Sequence, residues 1–286
     1  MIVINREIPM NCDLLLPGDI HKGTTLMSRS GVESLLYKLS KKNTYMIFMG
    51  DAIDAITGSD RRFDMELSDG TTPIEQADWI VNKVLPYKNK IITWLAGNHE
   101  STVRGVGNLV RSIICDKLKV QYGTFSCRVE FKRLDHGNNI FSGMFHHGSG
   151  QVSSSHPDPM VRQAIMTYKL KQKLEPFGGN CVLNAMGHTH KLLIYKPVEE
   201  LYIKTRDGIL VSDYTKPSDL VYFGNGGHID SIHRWYVNTG SFQKLYSKND
   251  LASGYAEANM YPPVELGYPI VKIRDGKIID IVKEFV

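Results

Sequence analysis

The chain has 286 residues, 42% hydrophobic and 22% charged, enough apolar surface to bury a core, so global disorder is excluded. Lys and Arg number 34 against 30 Asp and Glu, a formal charge of +4, which suits an anionic ligand and falls short of a dedicated nucleic-acid binder. Cys12, Cys115, Cys127 and Cys181 form no CxxC pair, which argues against a disulfide framework and a zinc knuckle and fits a reducing compartment.

The opening MIVINREIPM lacks the basic start and apolar stretch of a signal peptide. No apolar run approaches the ~18 residues needed to span a bilayer. A soluble, cytoplasmic protein without membrane partners is expected.

In chain order, short apolar runs end in polar, glycine-containing loops. Residues 14–16 run into Pro17-Gly18-Asp19, and residues 45–49 into Gly50-Asp51. Residues 91–96 run into Gly97-Asn98, 140–145 into His146-His147-Gly148, and 181–186 into Gly187-His188. Runs of this length bounded by glycine predict buried strands. Between them, Ser30-Gly31-Val32-Glu33 reads as a capping box opening a helix to about Lys41. Helical spacing of apolar residues predicts further helices over 73–84, 108–118 and 159–174. Residues 201–204 and 208–211 read as strands, and 270–282 as a hairpin around Asp275-Gly276. Alternating strands and helices predict an α/β layered fold with its site at the carboxyl ends of the strands. One domain, 1–286, is expected, with a motif-bearing segment over 1–192 and a strand-rich completion over 193–286.

The five strand ends carry an unusual residue set: Asp19 and His21 in GDIH; Asp51 and Asp54 in GDAID; Asn98 and His99 in GNHE; His146 and His147 in FHHG; His188 and His190 in GHTH. Each taken alone is ordinary turn chemistry or noise. Together they make a mixed oxygen and nitrogen donor set, which suits borderline divalent metals such as Mn, Fe or Zn. Accidental convergence of so many titratable groups is disfavoured by the cost of burying them.

The ordered blocks D-x-H, GD-x-x-D, GNHE, a histidine block and GH-x-H resemble the calcineurin-like metallophosphoesterase superfamily. Val237-Asn238-Thr239-Gly240-Ser241 is similar to that family's late strand and loop. The resemblance implies a layered α/β/β/α sandwich with two mixed sheets. It implies two divalent metal ions, manganese favoured, with Fe, Zn, Ni or Mg also fitting. Asp19, His21 and His190 would hold the first ion and Asp51 would bridge. Asn98, His188 and one histidine of FHHG would hold the second; His147 is favoured because it precedes the glycine, and His146 stays open. His99 would be the general acid, oriented by Asp54. A hydroxide bridging the metals would attack a phosphorus in line.

Departures from the family narrow the class. Protein phosphatases of the superfamily carry GDxxDRG, whereas Ala55-Ile56 follow Asp54 here. Asp19-Ile20-His21-Lys22-Gly23 is similar to the D-x-H-x-G of the DNA-repair exonuclease branch, though Glu100 stands where that branch usually has Asp. A phosphodiesterase acting on DNA, RNA or nucleotides is therefore expected. A phosphomonoesterase, or a metal-stabilised scaffold without activity, is the alternative. Arg61, Arg62, Arg104 and Arg162 follow the second, third and fourth blocks and are candidates for flanking phosphates, equally well read as solvated surface. Residues 55–72 read as a lid or specificity loop. Tyr222-Phe223, Trp235-Tyr236 and Phe242 read more readily as core than as base-stacking platforms.

Overall fold

The computed structural model describes residues 1–60, 63–103, 108–215, 227–246 and 255–286. The strands of the first half are β1 (Ile2–Ile8), β2 (Cys12–Leu15), β3 (Thr44–Phe48), β4 (Ile91–Trp94), β5 (Gln121–Tyr122), β6 (Ser126–Arg133) and β7 (Asn139–His146). Those of the second are β8 (Leu183–Met186), β9 (Leu192–Tyr195), β10 (Leu201–Arg206), β11 (Ile209–Tyr214), β12 (Trp235–Thr239), β13 (Gly267–Arg274) and β14 (Lys277–Phe285). Helices α1 (Arg29–Ser40), α2 (Pro73–Val84), α3 (Asn98–Ser101), α4 (Asp116–Leu118) and α5 (Pro159–Leu174) lie between them.

Two mixed six-stranded sheets result, so the fold is α/β. One has the order β1-β6-β7-β8-β12-β9 and the other β14-β13-β2-β3-β4-β5. β10 and β11 form a separate antiparallel ribbon. Within the second sheet β2, β3 and β4 are parallel neighbours, and within the first β7 and β8 are. Their carboxyl ends therefore point the same way within each sheet, and parallel strands place the following loops side by side.

Strand alternation divides the core. Met46 and Phe48 of β3 pack with Val32, Leu35 and Leu39 of α1 and Ile80 and Val81 of α2. Ile47 points the opposite way, into a core shared with the other sheet through Val129, Phe131, Phe145 and Leu183. A smaller cluster sets Leu170 and Leu174 of α5 against Met186, Leu193 and Tyr236. Tyr236 and Phe242 are wholly buried and Trp235 nearly so, which makes them core; Tyr222 and Phe223 lie outside the described residues.

Four local details differ from the sequence expectations. Helix α1 is capped by Ser28, whose hydroxyl accepts from Gly31 N–H, rather than by Ser30. The reciprocal capping box is at Thr72 and Glu75, opening α2. The helix expected over 108–118 is a π-helical turn, Val110–Cys115, running into α4. Strand β1 was not expected: it is an edge strand pairing only with β6, and only Ile4 and Ile8 are buried along it. The terminal hairpin forms around Asp275-Gly276, both at positive φ, as the turn requires. Among the described residues no helix is long and apolar enough to cross a membrane.

Phe131 has no solvent exposure and stacks on Phe141 with ring centroids 4.5 Å apart, with Phe145 edge-on at 6.4 Å. Phe131→Ala should lower the unfolding free energy by about 3–5 kcal/mol through lost burial and the cavity left behind. Urea denaturation followed by circular dichroism reads this directly. A loss under about 1 kcal/mol would mean that the inter-sheet core is not closely packed there.

Candidate metal centre

Both sheets deliver side chains to one place. Asp19 and His21 follow β2, Asp51 and Asp54 follow β3, and Asn98 and His99 open α3 after β4. His147 directly follows β7, while His188 and His190 follow β8. The backbone at Asp19, His21, Asp51, His188 and His190 is left-handed, with φ between 51° and 69°. Asp and His tolerate that region better than most residues, yet it costs energy, and such strain gathers at functional sites. Two glycines make room. A Cβ at Gly97 would collide with Asp51 Oδ1, and one at Gly50 would lie 2.6 Å from His147 Nδ1.

Two triads could each hold a metal ion: Asp19, His21 and His190, and Asp51, His147 and His188. In each triad the candidate ligand atoms lie within 4.8 Å of one another. In the first, His21 Nε2 is 3.1 Å from His190 Nε2, and Asp19 Oδ1 is 3.3 Å from His190 Nε2. In the second, His147 Nε2 is 3.2 Å from Asp51 Oδ2. Asn98 Oδ1 joins it, 2.9 Å from His147 Nε2 and 2.7 Å from His188 Nδ1. Asp51 Oδ2 is also 4.0 Å from His21 Nε2, so it lies between the two groups. His146 folds back on its own turn, with Nδ1 accepting from Gly148 N–H at 2.6 Å. His147 is the member of the pair at the cluster.

The donor chemistry fits a divalent cation. Asp19 Oδ1 is fully buried and accepts no hydrogen bond among the described residues, although a buried carboxylate oxygen needs a donor or a cation. Imidazole nitrogens with carboxylate and amide oxygens suit Mn, Fe or Zn. Partners around the triads orient the ligands. His147 Nδ1 donates to Met49 carbonyl at 2.8 Å, across the sheets. Asp19 Oδ2 accepts from His188 N–H at 3.1 Å, and its carbonyl accepts from Ser241 hydroxyl and Phe242 N–H, both at 3.0 Å. The late strand-and-loop segment thus buttresses Asp19.

Without a cation, protons balance the carboxylates. Burial disfavours the charged form of His21, but the Asp54 hydrogen bond and the charges of Asp51, Asp54 and Asp19 outweigh it, raising its pKa to about 9. Burial likewise opposes His147, and the hydrogen bond and charge of Asp51 raise it to about 9. Burial works against the Asp51 carboxylate too, but His147, His21 and His99 hold its pKa well below the ordinary range. Burial and the charge of His21 lower the pKa of His99.

His99 Nδ1 donates to the backbone carbonyl of Asp54 at 2.6 Å, with the Asp54 carboxylate at 3.5 Å. That carboxylate is nearer His21 Nδ1, at 3.3 Å. Asp54 therefore positions His99 through its peptide and His21 through its side chain. His21, Asp54 and His99 make a further possible ligand group. Arg162 lies on α5; Arg61, Arg62 and Arg104 fall outside the described residues. Of the expected lid, residues 63–72 are tethered: Lys22, directly after His21, pairs with Asp69. Buried Gln76 joins Ala55 N–H to Thr71 carbonyl.

One important residue was not singled out by its sequence pattern. Glu100 is buried, and its carboxylate accepts N–H groups from Ala52 at 2.6 Å, Gly97 at 2.8 Å and Asp51 at 3.2 Å. It clamps the Asp51 loop to the Asn98 loop. Burial, then the charge of Asp51, raises its pKa to about 7. Its spacing from Gly97, an N-cap with Glu at N3, was the available signal. No protein-family model matches this chain, and no curated protein matches it.

Metal must displace protons from His21 and His147. Affinity for Mn²⁺ or Zn²⁺ should therefore rise with pH from about 6.5 up to about 9, with protons released on binding. Calorimetry in buffers of different ionisation enthalpy measures the release. Because both histidines are raised above their unfolded value, the stability they add to the metal-free protein is complete below pH ~6.5 and lost as pH rises through about 9. Melting in chelator should show that decline. Flat metal affinity across this range would overturn the assignment of His21 and His147 as ligands.

Proposed function

We propose that the chain is a metal-dependent phosphoesterase of the calcineurin-like metallophosphoesterase kind, acting on phosphodiesters. Its two sheets with helices outside would then be the α/β/β/α sandwich of that superfamily. The observation that carries the proposal is the pair of adjoining triads, Asp19–His21–His190 and Asp51–His147–His188, with Asp51 between them and His99 beside them. Asn98 adds its amide oxygen to the second triad.

Divalent cations, two of them and Mn²⁺ first in order of fit, would neutralise the phosphoryl oxygens and activate the attacking water. The chain does the rest. Asp19, Asp51 and the histidines hold the charge in place, and Glu100 fixes the loops that carry Asp51 and Asn98. His99 keeps its Nδ1 proton on the Asp54 carbonyl, so Nε2 is the nitrogen that exchanges a proton with the leaving oxygen; as general acid the ring acts in its protonated form, which burial and the charge of His21 make the scarcer one. Ala55 and Ile56 stand where a phosphate-gripping arginine would serve a dianionic monoester. A diester, with one charge, needs no such cation.

Bis-p-nitrophenyl phosphate should be cleaved faster than p-nitrophenyl phosphate, with activity lost in chelator and restored by Mn²⁺. Asp51→Asn should abolish it. Robust monoester turnover without diester turnover would move the assignment to a phosphomonoesterase, and full activity in chelator would remove the metal altogether.

His99→Ala should retain metal yet lose about 10²–10⁴ in kcat on diesters with alkoxide leaving groups. It should lose much less on nitrophenyl esters, whose leaving group needs no proton. Loss of metal in this variant would make His99 a ligand instead.

A further inference from the structure

Strands β10 and β11 join neither six-stranded sheet. They pair in register from Leu201 with Tyr214 to Arg206 with Ile209. Asp207 and Gly208 turn the chain between them at φ 52° and 77°, the two left-handed positions of a tight hairpin turn. At the base, Thr215 N–H donates to the Glu200 carbonyl at 2.9 Å and Glu200 N–H to the Thr215 hydroxyl at 2.8 Å. The ribbon is therefore well formed, yet two strands held only by their own ladder are marginally stable in water. Covering one face supplies what is missing.

Successive residues alternate between faces, and the register shows which share one. Leu201, Ile203, Thr205, Leu210, Ser212 and Tyr214 lie on the first face. That face carries no charge, and it is open. Leu201 is 60% exposed, Ile203 71%, Leu210 74% and Tyr214 51%, with Thr205 and Ser212 exposed beside them. Every charged residue of the two strands lies on the second face, where Lys204 pairs with Asp213 and both are half-buried. A ribbon facing water sorts its residues the other way, with charge on the open side. An open apolar face of this kind marks an interaction surface.

The composition of the face selects its occupant. Without charge it offers nothing to an acidic or basic partner, and it does not repel a copy of itself. Arg206 and Asp207 at the tip oppose insertion into lipid. Its pattern is self-complementary. A two-fold axis along the strands sets each Ile203 over the partner's Ser212 and each Leu210 over the partner's Thr205, bulky on small both times, with Leu201 over the partner's Tyr214. The face exposes on the order of 600 Å² per copy, so stacking two of them buries about 1,200 Å², the lower end of a specific interface.

We propose that this face of the β10–β11 ribbon is the contact between two copies of the chain, which associate as a two-fold symmetric dimer through stacked ribbons. The contact uses no residue of the metal centre and holds whatever reaction that centre performs.

Sedimentation velocity on the full chain between about 1 and 100 µM tests it, a range suited to an interface of this size. Wild type should pass from monomer to dimer across that range. Ile203→Lys and Leu210→Lys each put a charge into the contact and should raise the dissociation constant at least about tenfold. Ile209→Lys puts the same charge one residue away on the opposite face and should leave it unchanged. Far-ultraviolet circular dichroism should match wild type in all three, since each site is exposed in the single chain. A wild type still monomeric at the highest concentration would overturn the dimer, and its capture by anionic lipid vesicles would then give the face to a membrane. A dimer untouched by Ile203→Lys and Leu210→Lys, or weakened equally by Ile209→Lys, would overturn this face as the contact.

Discussion

A carboxylate removed from water needs a cation or donors, and the whole site is organised around two that have been removed. Asp19 has no exposure and Asp51 almost none. Each is surrounded by imidazoles drawn from loops far apart in sequence, and each sits where one sheet meets the other. His188 N–H reaches Asp19 from the first sheet, and His147 bridges Asp51 to the Met49 carbonyl of the second. The electrostatic requirement of two aspartates and the packing of two sheets are therefore one problem. Apolar side chains such as Ile47 and Phe145 set how closely the sheets approach, and that approach sets the distances among the ligands.

Glu100 shows how the loops are kept from relaxing. Left-handed residues at Asp19, His21 and Asp51 store strain that the neighbouring backbone must hold. A buried carboxylate gathering amide protons from two loops does so with geometry that an apolar residue cannot supply. The same carboxylate stands close to Asp51, and like charges in a buried space are costly. Positive charge at the two triads relieves that cost, so the clamp and the ligands depend on one another.

Much of this was legible in the residues. The glycine-bounded apolar runs marked β2, β3, β4, β7 and β8, because buried parallel strands read as continuous apolar stretches. The histidines and aspartates at their ends marked the site, because so many titratable groups are rarely gathered without purpose. What stayed hidden depended on distance in the chain. Asp54 was legible as a partner of His99 but not as a partner of His21, since its carboxylate and its peptide serve different rings. Ser28 was hidden by Ser30 two residues on, an equally good cap by composition. Edge strand β1 was hidden because a strand with a single neighbour buries few of its side chains.

The order β14-β13-β2-β3 has a consequence for the protein as it leaves the ribosome. Strand β2, which delivers Asp19 and His21, is made long before β13, its second neighbour in the sheet. Ser241 and Phe242, which hold the Asp19 carbonyl, also come late. At translation rates of roughly 5–20 residues per second, the nascent chain carries every candidate ligand for some seconds before that edge can close. During that interval β2 offers an open hydrogen-bonding edge to any passing strand, and the loop after it is unsupported. Ligand synthesis and ligand fixation are therefore separated in time, and the interval runs from His190 to Gly267.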